Sequence, residues 1–183
     1  ETSFAVITDK GTYQACEADL KAYQETLGQE GLPTFIVYND WKKPEDVKKV
    51  ISKLYKKNNL EGVVFVGNVP IAMIRKAQHM TSAFKMDEVE HPFRESSVPS
   101  DRFYDDFDLK FDFLKQDSVE NNFFYYNLAI ESPQKIQCDI YSARIKAIDN
   151  GEDAYTQISR YLKKAIAEHK SGNKLDQFFS YTG

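Results

Sequence analysis

The sequence has few cysteines, and their spacing is typical of neither a disulfide-bonded fold nor a metal-binding fold. Its 183 residues include two, Cys16 and Cys138. Two isolated thiols give no disulfide framework and none of the paired spacing of a zinc site. A catalytic thiol needs exposure and a neighbouring base, and the sequence indicates neither. Because Cys16 belongs to a helical apolar repeat and Cys138 alternates with Ile136 and Ile140, both thiols are predicted to be reduced and buried.

Long apolar runs and an excess of basic charge are also missing. No run approaches the roughly 20 apolar residues that span a bilayer, so no membrane span is predicted. The 24 basic and 28 acidic residues are mixed along the chain and give a net charge of -4. With no basic face to neutralise many phosphates, nucleic acid is not an expected partner. The composition, 42% hydrophobic, is that of an ordinary globular protein.

The glycine-rich motifs that bind phosphates do not occur. The sequence contains neither GxGxxG nor GxxxxGK[ST], which argues against a dinucleotide site and a P-loop. None of the three histidines, His79, His91 and His169, stands beside a Ser, Cys or carboxylate in a way that indicates a catalytic pair. We therefore assign no catalytic residue and no cofactor-binding residue from the sequence.

What is present is a buried strand around which strands and helices alternate. Residues 63–66 (VVFV) form an unbroken apolar run closed by Gly67 and Asn68, the pattern of a strand covered on both faces. Strands are also predicted over residues 3–8 and 34–38. Each of these is followed by a helix whose apolar residues recur at spacings of three and four. The sequence thus indicates a parallel sheet with residues 63–66 at its centre.

The second half of the chain departs from this alternation. Pro70 is predicted to start a short helix through Ala77, and residues 85–97 to form a surface loop. Alternating and then aromatic residues over 109–130 predict a β-hairpin. A fourth strand is predicted over residues 136–140, reaching its end near residues 142–144, and a last helix from about Asn150 to Gly172.

The expected fold is one α/β domain over residues 1–183, with an insertion at about 101–131. Its mainly parallel sheet has four strands in the order 2-1-3-4, with helices on both faces and the hairpin projecting from it. The chain opens at Glu1 rather than Met and ends on apolar residues, so we expect a fragment of a longer protein.

An acidic cluster offers the one candidate metal site. Its members are Asp101, Asp105, Asp106 and Asp108, followed by Asp112. Hard cations such as Ca²⁺ take several carboxylates from one loop, although the spacing is not that of an EF-hand and its turn glycine is missing. Two interpretations stay open. One is a speculative calcium site, and the other is a solvated acidic loop that faces nearby lysines or arginines.

Three short motifs occur in an order that resembles the first half of the gingipain-like cysteine peptidases. In that family a strand ending in LLVGD is followed by a loop with SDxxY and by a strand ending in GR. Here VGN, SDRFY and AR stand at the corresponding places, with Asn68 where the family has Asp and Ala143 where it has Gly. The matched residues are Gly67, Asn68, Ser100, Asp101, Tyr104 and Arg144.

The resemblance implies a caspase-like α/β peptidase of two side-by-side subdomains, with the catalytic His and Cys in the second. The family's His-Gly and Ala-Cys strand ends do not occur in this chain. The resemblance thus implies an N-terminal, non-catalytic subdomain that partners a C-terminal catalytic one, in a secreted, cell-surface or periplasmic protein. Phe178, Phe179 and Tyr181 are expected to contact that partner. The alternative is a free-standing α/β binding or interaction domain.

Overall fold

Strands and helices alternate through the first part of the chain, in a computed structural model that describes residues 2–75, 89–133, 135 and 137–171. The elements are β1 (Ser3–Asp9), α1 (Lys10–Gln29), β2 (Thr34–Asn39), α2 (Pro44–Asn58) and β3 (Leu60–Val66). Asp9 caps α1, and Pro44 occupies the first turn of α2, where its missing N–H leaves no bond unmade. The predicted alternation is confirmed.

The main sheet is all-parallel and has the order β2-β1-β3-β8, where β8 is Tyr141–Ile145. Val63, Phe65 and Val66 of β3 are fully buried, which confirms a central strand covered on both faces. The order differs in detail from the predicted 2-1-3-4, because the fourth strand of this sheet is the eighth of the chain.

The fourth strand of the main sheet is confirmed near its predicted end at residues 142–144, but its predicted start at residue 136 is too early. Residues 137–140 form an irregular segment, in which the N–H groups of Asp139 and Ile140 donate to the carbonyl of Asp105 rather than to a neighbouring strand. The strand therefore begins at Tyr141. Ile136 lies outside the described residues.

Helices cover both faces of the main sheet, as predicted. On one face Leu20 of α1 and Leu162 of α4 (Ala154–Ser171) pack with Val64 of β3. On the other face Val47 and Ile51 of α2 pack with Phe65 and its neighbours. Burying such a side chain contributes about 1.5–3 kcal/mol, so the two apolar stripes hold the layers together. The α/β class is confirmed.

The inserted region builds a second sheet. Its strands are β4 (Ile71–Ile74), β5 (Val98–Pro99), β6 (Phe111–Gln116) and β7 (Phe123–Leu128), in the order β5-β4-β7-β6. The short helix α3 (Arg102–Asp105) lies between β5 and β6 in the chain. The antiparallel pairing of β6 with β7 confirms the hairpin. The expectation that it projects is wrong, because β7 also pairs with β4, and Phe124 and Tyr126 are buried in the core that α2 covers.

Two predicted helices differ from the observed elements. The short helix from Pro70 is wrong over its described part, because Ile71–Ile74 pairs with strands on both sides. The last helix begins at Ala154 rather than near Asn150, because Asp153 accepts hydrogen bonds from the N–H and hydroxyl of Thr156 and so caps it. Outside the described residues lie Ala77, His79, Gly172, Phe178, Phe179 and Tyr181. No helix in the described part of the chain is long and apolar enough to span a bilayer.

The two cysteines are free but differ in exposure. Cys16 is buried between α1 and α4, with its Sγ 3.5 Å from the carbonyl of Tyr155, as predicted. Cys138 is exposed, so its predicted burial is wrong. It lies in the irregular segment before β8, and its Sγ contacts the guanidinium of Arg102.

We expect the two thiols to react at very different rates with Ellman's reagent. Cys138 should react within the dead time of manual mixing. Cys16 should react only on unfolding, because burial removes access and raises the pKa of its thiol. Absorbance in native buffer and in urea measures both phases, and Cys138→Ser should remove the fast one. Two slow thiols in the native chain would contradict the exposure of Cys138.

Candidate functional site

The carboxyl ends of β1 and β3 form the place in this fold where a ligand site is expected. The two strands are neighbours, yet the next strand of this sheet along the chain lies on opposite sides of the pair: β2 follows β1 on one side, and β8 follows β3 on the other. Open α/β sheets bind ligands in the crevice at such a point. Asp9 ends β1 here, and Gly67 and Asn68 follow β3.

Asp9 and Gly67 bring the two strand ends into contact. Oδ1 of Asp9 accepts the N–H of Thr12 at 2.9 Å, and Oδ2 accepts the N–H of Asn68 at 2.7 Å. Gly67 has φ +82°, and a Cβ on it would lie 2.2 Å from Oγ1 of Thr12. Only glycine therefore fits at this position. The family resemblance pointed to Gly67 and Asn68, but the sequence analysis missed Asp9. The feature that could have identified Asp9 is its position between the end of a predicted strand and the start of a helix.

A cleft of about 450 Å³ opens at these strand ends. Its walls also include the connection from β2 to α2 and the turn between β6 and β7. Its four charged residues balance, since Lys10 and Lys42 face Asp9 and Asp40. The rest of the polar lining consists of carboxamides, which both donate and accept hydrogen bonds, beside the indole of Trp41; these are Asn68, Gln116, Asn121 and Asn122. Such a lining suits a neutral polar ligand.

The family-motif residues of the loop and of β8 meet beside this cleft. Arg144 of β8 donates to both carboxylate oxygens of Asp101, at 2.7 and 3.2 Å. It also donates to the carbonyls of Val69 at 2.9 Å and of Pro70 at 3.3 Å. The hydroxyl of Tyr104 donates to the same Pro70 carbonyl at 2.7 Å. These side chains thus hold the connection that follows Asn68.

Burial strengthens this network. Tyr104 is fully buried, and burial raises the pKa of its hydroxyl, which stays a hydrogen-bond donor. The Arg144 guanidinium lies 4.7 Å from the centre of the Phe65 ring and is largely screened from water. Ser100, the first residue of the motif, donates its N–H to the carbonyl of Ala72 at 2.9 Å. The sequence periodicity gave no sign of these contacts, and the resemblance supplied the residues.

Arg144→Met should lower the free energy of unfolding by about 2–3 kcal/mol, because the half-buried Asp101 loses its cation and the carbonyls of Val69 and Pro70 each lose one of their two side-chain donors. Arg160 provides the matched control. It also forms a two-pronged pair, with Glu152, but its side chain is mostly exposed. Arg160→Met should therefore leave the free energy of unfolding nearly unchanged, because solvent screens the exposed pair. Urea denaturation measures both variants, and equal losses would show that the Arg144 network is no stronger than a surface ion pair.

Three of the four aspartates of the candidate calcium site turn to separate partners, and the fourth, Asp108, is exposed. Asp101 binds Arg144, and Asp105 accepts from the hydroxyl of Ser142 and from Arg102. The carboxylate of Asp106 accepts backbone N–H groups, those of Asp108, Leu109 and Gln137. Within the described ranges, no three His, Cys, Asp or Glu side chains are placed to hold a metal ion together. The calcium hypothesis gains no support from this geometry and stays a prediction.

The alternative interpretation, a solvated acidic loop that faces basic residues, fits only in part. Asp101 and Asp105 do face arginines, but Asp105 and Asp106 are buried. Burial raises the pKa of Asp105 to about 6, although Ser142 and Arg102 act in the opposite direction. Its Oδ1 has no hydrogen-bond partner in the described part of the chain.

Asp105 should make the chain less stable as the pH rises toward neutral. Because its pKa in the folded state lies above the ordinary value of about 3.9, the folded chain binds more protons than the unfolded chain between the two values. Its stabilising contribution is complete below about pH 4 and is lost as the pH rises through about 6. Asp105→Asn should lose this part of the pH dependence in urea titrations from pH 4 to 8. The exposed Asp108→Asn should keep it, and a wild-type slope in Asp105→Asn would contradict the assignment.

The described histidines and the cysteines have other partners. Nδ1 of His91 lies 3.3 Å from Glu95, and Nδ1 of His169 lies 2.9 Å from Glu30. Cys16 and Cys138 contact Tyr155 and Arg102 instead. Comparison of the chain with models of known protein families, with curated proteins and with solved structures gives no significant match. The functional argument therefore stands on the sequence motifs and on the geometry described above.

Proposed function

We propose that this chain is the non-catalytic N-terminal subdomain of a gingipain-like cysteine endopeptidase and that it supports a C-terminal catalytic subdomain of the same protein. One observation carries the proposal. Asp101, Tyr104 and Arg144 were matched to the family only by their order along the sequence, and they meet in one hydrogen-bonded network after β3. Short motifs matched by chance would not be expected to meet in this way. The α/β class with a buried third strand supports the same proposal.

In this proposal the chain supplies a frame and no chemistry of its own. Cysteine peptidases need a thiolate, an imidazole and oxyanion donors that act as a unit. Cys16 is buried, and Cys138 lies against Arg102 rather than an imidazole. The network around Arg144 would fix the end of β3 and the start of the second sheet, which gives the catalytic subdomain a rigid neighbour. The parent protein would be secreted, periplasmic or at the cell surface, as the family resemblance implies.

A second candidate function is a free-standing α/β binding domain. The observation that favours it is the cleft at the ends of β1 and β3, whose charges balance and whose remaining polar groups are mostly carboxamides. A neutral polar ligand could occupy this cleft without any catalytic residue. The two candidates differ in one respect that can be measured, because only the first requires further chain for activity.

The proposal predicts that the 183-residue chain does not cleave peptides after Arg, Lys or Asp above background. A chain extended by about 200 residues of downstream coding sequence, roughly one more domain, should do so. Fluorogenic peptides measure both activities. Cys138→Ala in the extended chain should leave its activity unchanged, since the nucleophile would lie downstream. Hydrolysis by the 183-residue chain that Cys138→Ala abolishes would overturn the proposal, and a stop codon directly after Gly183 would favour the binding domain.

A further inference from the structure

A second cavity, of about 420 Å³, adjoins the cleft at the ends of β1 and β3. Lys42, Gln116 and Phe124 line both spaces, which together are called the extended cleft below. A single cavity of about 300–1,000 Å³ already buries most of a drug-sized molecule. The extended cleft therefore has room for an elongated ligand of several units.

The charges of the extended cleft cancel. Its lining contains three basic and three acidic residues, Lys10, Lys42, Lys43, Asp9, Asp40 and Glu45. The carboxylates already have partners within the chain. Asp9 accepts two backbone N–H groups, Asp40 lies 2.5 Å from Nζ of Lys42, and Glu45 accepts the hydroxyl of Tyr126 at 2.8 Å. A charged ligand would lose its hydration here without a free partner of opposite charge among these acids, so a neutral ligand is favoured.

Carboxamide residues enter the lining from two parts of the fold. Asn68 follows β3, and Gln116, Asn121 and Asn122 belong to the hairpin. Two of these groups are held in place, because Nε2 of Gln116 donates to the Asn121 carbonyl at 2.5 Å and Nδ2 of Asn122 donates to the Val69 carbonyl at 3.0 Å. A carboxamide has two N–H donors and an accepting oxygen, so one such bond orients the group without using all of it. Oriented groups that both donate and accept suit hydroxyl groups, which also do both.

Two aromatic side chains add apolar surface to the same space. Trp41 lines the cleft, and its Nε1–H already donates to the Thr8 carbonyl at 2.7 Å, so the indole offers a ligand its apolar ring. Phe113 lines the second cavity and is more than half exposed, with its ring centre 5.5 Å from that of Tyr126. The C–H face of a sugar ring packs on such surfaces, while the hydroxyls at its rim reach polar neighbours.

We propose that the extended cleft binds a neutral oligosaccharide. Its ring faces pack on Trp41 and Phe113, and its hydroxyls exchange hydrogen bonds with the carboxamides of the lining. A neutral peptide is the rival occupant, but it presents one N–H and one C=O per residue, whereas a sugar ring presents several hydroxyls around an apolar face. The second pattern matches carboxamides grouped beside an aromatic ring. The inference rests on the second candidate function, the binding domain, and names its ligand class; it does not need the peptidase proposal.

Trp41 reports on the site directly, because it is the only tryptophan of the sequence. Its fluorescence is followed while the whole chain is titrated with cellohexaose, maltohexaose and mannohexaose, each up to about 10 mM, and calorimetry repeats each titration without the reporter. We expect at least one hexasaccharide to bind saturably and at least tenfold more tightly than its own monosaccharide, because a single ring fills only part of the extended cleft. Hexagalacturonate, which carries carboxylates, and hexaethylene glycol, which lacks the ring hydroxyls, should each bind at least tenfold more weakly than that hexasaccharide.

Two double variants test the location. Gln116→Met with Asn121→Leu removes two carboxamides from the lining at nearly constant volume and should weaken binding at least tenfold. Gln14→Met with Asn58→Leu removes the same groups from exposed positions on α1 and α2 and should leave binding unchanged. The comparison among ligands on the wild-type chain stands even if a variant fails to fold.

Absence of saturable binding by all three hexasaccharides, equal binding of hexagalacturonate, or equal effects of the two double variants would each overturn the inference. An eight-residue peptide of alternating Thr and Gln, titrated in the same way, separates the inference from the function on which it rests. Binding of this neutral peptide without any saccharide would overturn the inference and keep the binding domain. If neither the peptide nor any saccharide binds, the second candidate function loses its support as well.

Discussion

The burial of β3 on both faces is the constraint on which the rest of this structure depends. A strand with apolar side chains on both sides must be covered by two separate layers. Here α1 and α4 cover one face, and α2 together with the second sheet covers the other. The second sheet is thus part of the main core, because Phe124 and Tyr126 fill space that α2 alone leaves beside β3. The inserted region therefore contributes part of the core that covers β3.

Where β3 ends, the chain leaves the sheet, and the peptide groups that follow need other hydrogen-bond partners. Immediately after β3 the N–H of Gly67 still donates to the carbonyl of Ile145 in β8, but Asn68, Val69 and Pro70 then leave the sheet ladder. Asp9 accepts the N–H of Asn68, while Arg144 and Tyr104 donate to the carbonyls of Val69 and Pro70. Buried peptide groups that lack a partner are costly, so the charged and aromatic residues at this point are explained by the end of β3. The same contacts shape the neighbouring cleft.

Local patterns in the sequence predicted those elements whose own apolar residues show which of their faces is buried. The run from β1 to β3 was recovered because each helix shows its apolar stripe and each strand its apolar run. The secondary structure of residues 71–74 could not be predicted in this way, because four buried apolar residues after a proline suit a helix or a strand equally. The prediction that Cys138 is buried in a strand failed for another reason. Its alternation with apolar neighbours imitates a strand, but contacts from Asp105 and Asp106, more than 30 positions earlier in the sequence, hold that segment in an irregular form.

The candidate sites were still harder to predict, because their chemistry depends on residues that only the fold brings together. The cleft combines Asp9 and Asn68 with Asn121 and Asn122 of the inserted hairpin. Its charge balance indicates the kind of ligand to expect. In the cleft an ionic ligand would face both signs of charge, so a neutral polar molecule loses least on entry.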